Sequence, residues 1–105
     1  MVVNVSKIDA LMKTYGGVET ISVIHSAFDE TPTVVAMVEV SKKLSIEAKL
    51  EKAFMLTNSV NDAWWKNEGV TPMFPEKGCR STSVGDMVLI GTEKYKCNSM
   101  GWSLI

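Results

Sequence analysis

The sequence predicts an α+β fold: a helix, a β-hairpin, a second helix, a long loop and a C-terminal three-strand antiparallel meander whose strands join or pack on the hairpin, arranged as a two-layer sheet with helices on one face. Three observations predict it. Apolar residues recur with helical spacing at 8–15 and 46–57, β-branched residues concentrate at 18–28 and 33–40, and short turn-bounded apolar runs follow residue 86.

Element by element, Ser6 caps a helix over 7–15, in which Ile8, Leu11, Met12 and Tyr15 share a face and Gly16-Gly17 ends it. Val18 to Phe28 reads as a strand, with Ile21 and Val23 on one side. Asp29-Glu30-Thr31-Pro32 breaks it, because proline removes a ladder donor. Thr33 to Val40 is apolar on both faces except at Glu39 and pairs with the preceding strand as a hairpin. Ser45 opens the second helix, whose stripe of Ile46, Leu50, Ala53, Phe54 and Thr57 faces inward and whose end lies near Asn58 and Ser59. Residues 61–83 lack sustained periodicity and form a long, aromatic-containing loop, a kind of segment that in small domains is commonly functional. Strands follow at 86–90, 94–97 and 102–105, separated by Gly91-Thr92-Glu93 and by Gly101.

With 105 residues, the chain has the length of one domain, 1–105, and can bury a core without staples. A net charge of −1 offers no field for a polyanion, which disfavours nucleic acid as a partner. No apolar run reaches the ~18 residues that span a bilayer, and the first residues lack the pattern of a secretory signal, so a cytoplasmic protein with no membrane role is expected. Two separated cysteines and one histidine cannot supply a four-ligand zinc site without carboxylates, so no metal and no cofactor are expected.

The candidate functional positions are few. Trp64-Trp65 is an unusual pair, because adjacent large aromatics cannot both face one core. It reads either as a stacking or partner-binding platform or as one ring packed on the helix end and its neighbour on a loop or a second copy. Arg80 is the only arginine of the chain and heads Arg80-Ser-Thr-Ser-Val-Gly-Asp86. Its planar fork, with the three hydroxyls of Ser81, Thr82 and Ser83 beside it, suits a carboxylate or phosphate; the competing reading is an internal clamp onto Asp86. His25 is the one side chain that ordinarily titrates near neutrality, yet its place within a strand suits a hydrogen-bonded wall residue. Cys79 stands beside Arg80 in a glycine-bounded loop and reads as a free thiol or a nucleophile. No nucleotide-binding, zinc-protease or serine-hydrolase motif occurs, so no catalytic residue is assigned.

Leu50-Glu-Lys-Ala53 through Thr57-Asn58 to Trp64, then Arg80 to Asp86, a strand, Tyr95 and Gly101-Trp102, resembles a group of small phage- and plasmid-borne accessory proteins with YodL-like domains. The likeness covers residues 45–105. It implies a phage or mobile-element setting and transfers no catalytic residue. The expected function is a non-enzymatic accessory or binding protein acting through the 61–86 loop on a host protein or small anionic ligand, as a homo-oligomer, most simply a dimer. Two alternatives stay open: a small enzyme using His25 or Cys79 with Arg80, and a single-strand nucleic-acid binder using Tyr95 and Trp102 on a sheet lined by Lys94 and Lys96.

Overall fold

The structure, a computed structural model, describes residues 17–28, 30–58 and 63–105. Its frame is one six-stranded antiparallel sheet of order β3-β2-β1-β4-β5-β6, carrying a single helix and a short 3-10 turn among the described residues. The elements are β1 (Val18–His25), β2 (Thr33–Ser41), α1 (Ile46–Thr57), the 3-10 turn Trp64–Lys66, β3 (Val70–Pro72), β4 (Met87–Ile90), β5 (Glu93–Asn98) and β6 (Gly101–Leu104).

The expected α+β arrangement, a two-layer sheet with helices on one face, is thereby corrected: among the described residues strands dominate, with one helix and one 3-10 turn beside a single sheet. Of the two expected relations between meander and hairpin, joining or packing, the structure has the first: β1 pairs with β4 through Ser22 and Leu89, Val23 and Val88, and Ile24 and Met87, which makes one sheet of all six strands. The segment expected as a long loop is also partly ordered backbone. Its Val70–Pro72 adds to the free edge of β2, where a proline is tolerated since no further strand needs its missing N–H. The helix expected over 7–15 lies outside the described residues.

Pleat alternation sets Ile21 and Val23 of β1, Ala36, Val38 and Val40 of β2, and Val88 of β4 on one buried face. Onto it α1 lowers Leu50, Ala53 and Thr57. Ser45 caps this helix by accepting the Ala48 N–H at 3.1 Å, a contact whose loss costs about 1 kcal/mol. Lys49 departs from the solvent-facing place its position in the helix suggests; it is buried and paired with Glu19 of β1. A register shift between Val23 and Ile24 inserts one extra β2 residue at the turn end of the hairpin, where β1 delivers His25 into the core.

Candidate functional site

The end of β1, the end of α1 and the segment entering β4 converge on Asp86, which is wholly buried. Oδ1 accepts the N–H groups of Ser26 at 2.8 Å and Ala27 at 2.9 Å, and Arg80 Nη2 at 2.9 Å. Oδ2 accepts Arg80 Nη1 and the Ser83 N–H, both at 2.7 Å. Burial alone would raise the carboxyl's pKa; the hydrogen bond from Arg80 and those from the Ala27, Ser83 and Ser26 backbone outweigh it and bring the value down to about 2. Gly85 makes the turn into this node: its φ is +98°, and a Cβ there would lie 2.9 Å from that of Ala27.

Both ends of the Arg80 fork are therefore on Asp86, and Nη1 also donates to the Ser81 carbonyl at 3.1 Å. The clamp reading describes its geometry. Ser81 and Ser83 serve the node through main-chain groups, the Ser81 carbonyl and the Ser83 N–H. The outer face of the guanidinium covers the Phe28 ring at 4.9 Å, and Phe28 is 75 % exposed.

The two tryptophans take different places. Trp64 is 1 % exposed, and its indole N–H reaches the carbonyls of Cys79 at 3.2 Å and Arg80 at 3.1 Å. Trp65 is half-buried and stacks edge-on against both Trp64 and Phe74. The pair is a prop under residues 78–80 rather than an open platform, and Gly78 is held so close to Trp65 that a Cβ would sit 3.2 Å from its ring.

On this prop Cys79 meets His25. Cys79 Sγ lies 3.7 Å from His25 Nδ1, and His25 Nε2 lies 3.0 Å from Thr82 Oγ1 and 3.9 Å from Asp86 Oδ2. Thr82 Oγ1 is in turn 2.8 Å from Thr57 Oγ1, which is 2.7 Å from the Ala53 carbonyl. The backbone fixes the same contact: Thr82 N–H donates to Thr57 O, and Asn58 Nδ2 donates to Thr82 O at 2.6 Å. His25, Cys79 and Arg80 line one open cleft of about 260 Å³, with Val35, Phe74 and Glu76 among its other walls.

The positions considered for single-strand binding divide between two faces of the sheet: Tyr95 and Trp102 line one cleft on the helix side, apart from the lysines. Trp102 packs edge-on against Phe54 and donates to Glu51 on the helix side, whereas Lys94 and Lys96 alternate with Tyr95 and Cys97 along β5 and lie exposed. Among the described residues no group of three or more His, Cys, Asp or Glu could hold a metal ion, and no helix is long and apolar enough to cross a membrane. Compared with known proteins, the chain matches no family model, no curated protein and no solved structure.

Thr82 and Thr57 have other places in the sequence, Thr82 among the hydroxyls beside Arg80 and Thr57 in the stripe of α1; their link to His25 is what sequence reasoning missed. A threonine ending the apolar stripe of α1 reads as ordinary packing, and nothing local links either hydroxyl to a histidine on β1.

Proposed function

We propose that this protein is a non-enzymatic accessory or binding protein of phage or mobile-element type, acting through residues 61–86 on a host protein. The observation that carries the reading is the exposed Phe28 ring under the Arg80 guanidinium, beside a cleft whose walls are fixed by the Asp86 node. An aromatic held in water by a cation that is already neutralised is a contact surface for another apolar and weakly charged surface. Met73, exposed beside Phe74, extends it. A small anionic ligand fits less well, since Asp86 occupies both ends of the fork.

Two cysteines outside any disulfide suit a reducing, cytoplasmic compartment. The uncovered side chains of Met100, Leu104 and Ile105 by the β6 edge support self-association as a dimer. A second reading, a small enzyme using His25 or Cys79, is favoured by the 3.7 Å approach of those two side chains.

Phe28→Ser tests the first reading. Immobilised wild type and variant are exposed to host extract, and partners are identified by mass spectrometry and then purified for titration. A partner bound by wild type and weakened at least about tenfold by Phe28→Ser is the expected result; equal affinities overturn it.

A further inference from the structure

The hydroxyls behind His25 determine which of its ring nitrogens carries the proton. The Ala53 carbonyl can only accept, so the Thr57 hydroxyl, 2.7 Å away, donates to it. That uses Thr57's one proton, so at the 2.8 Å contact Thr82 donates to Thr57. Thr82's proton is then used as well, and at 3.0 Å its oxygen accepts from His25 Nε2. Nε2 carries the hydrogen. In the neutral ring Nδ1 is the nitrogen with the lone pair, and Nδ1 is the one facing Cys79 Sγ.

We propose that Cys79 is a nucleophile whose proton is taken by His25, and that the cleft captures a small ligand bearing an electrophilic carbon as a thioether or thioester. The thiol proton passes to Nδ1, giving a thiolate beside an imidazolium whose Nε2–H stays on Thr82. The sulfur lone pair forms an S–C bond while the leaving group departs with its own bonding pair. The imidazolium proton goes to the leaving group or to water. No oxidant or reductant enters the step.

The surroundings favour charge separation. Asp86 Oδ2 lies 3.9 Å from Nε2 and stays ionised throughout the neutral range, and Arg80 balances most of its charge. Glu76 is the further charged group lining the cleft. Thr82 is a positioning residue, since it touches the base and not the ligand. The half-buried sulfur opens onto walls that include Val35 and Phe74, which suit a ligand with an apolar body.

The inference rests on the cleft being the working site, but not on the identity of any partner. Iodoacetamide is the probe, with per-cysteine rates read by peptide mass spectrometry from pH 5 to 9. Cys97 is the internal control: it is buried, and burial, with Glu51 and Asp86 adding to it, pushes its thiol up. At pH 6.5 wild-type Cys79 is expected to react several-fold faster than N-acetylcysteine, with Cys97 slower than both. His25→Gln retains a donor for Thr82 and is expected to slow Cys79 about tenfold. Thr82→Val is expected to slow it several-fold and to move the pH–rate profile to alkaline values, with Cys97 unchanged in each variant. A Cys79 no faster than N-acetylcysteine overturns the proposal, as does an unchanged rate in folded His25→Gln; if that variant does not fold, the wild-type comparison alone decides. An inert Cys79 leaves the docking reading standing, and a Phe28→Ser variant that keeps its partners leaves the thiol chemistry standing.

Discussion

Replacing Asp86 by Asn tests the account of the central node most directly. The carboxyl titrates at about 2 in the folded chain against an ordinary value of 3.8. A shift of nearly two units at about 1.4 kcal/mol each gives roughly 2.5 kcal/mol of stabilisation from ionisation. Asn keeps one acceptor oxygen but turns N–H groups toward Arg80 and Ser83 and strands the guanidinium, so the total loss at pH 7 should be about 3 kcal/mol. In a domain of this length that lowers Tm by roughly 12–24 °C. The folded value lies below the unfolded one, so the ionisation part is complete above about pH 5 and drains as pH falls through 3.8 toward 2. At pH 3 about half of it remains. Urea unfolding of wild type and Asp86→Asn at pH 7, 5 and 3 measures the gap. A difference below about 1 kcal/mol at pH 7, or one that does not shrink by pH 3, refutes the reasoning.

Other substitutions probe the supports one at a time. Gly85→Ala forces a side chain into a left-handed backbone and against Ala27, and urea unfolding should show a loss of about 1–3 kcal/mol. Trp64→Phe keeps most of the buried ring but leaves the Cys79 and Arg80 carbonyls without the indole donor; a loss of about 1–3 kcal/mol is expected, with faster amide exchange at residues 78–82. Ser45→Ala should cost about 1 kcal/mol by removing the cap of α1, and a cost near zero in thermal unfolding would contradict the contact. Phe28→Ser, by contrast, should leave stability within about 0.5 kcal/mol, since the ring is exposed.

Local signals in the sequence carried as far as single elements and stopped where long-range pairing begins. Ser45 and the Leu50–Ala53–Thr57 stripe mark α1 because cap and period are both written within a dozen residues. The β1 and β2 runs are equally visible, but nothing local says that β1 also pairs with β4, and this pairing turns two motifs into one sheet. Val70–Pro72 is too short to show a period and contains proline, so it read as loop. Lys49 misled because helical position cannot reveal Glu19 waiting beneath it on β1. At the site, the Arg80–Asp86 pair was readable from a spacing of six residues. His25 and Cys79, 54 positions apart, enter the sequence reading only as alternatives beside Arg80; no local pattern says that they meet, and the fold makes them neighbours.

The hydroxyl relay has a consequence for when the site comes into being. Its members belong to β1, the last turn of α1 and the segment before β4, and the Asp86 bonds to Ser26 and Ala27 bridge 60 and 59 residues. Loops that long close only after nearer contacts have compensated their entropy. A chain still emerging from synthesis, or one opened at the β1–β4 seam, therefore holds an ordinary thiol at position 79. The sulfur gains its base only with completion of the sheet, which makes its chemistry a gauge of whether the molecule has finished folding.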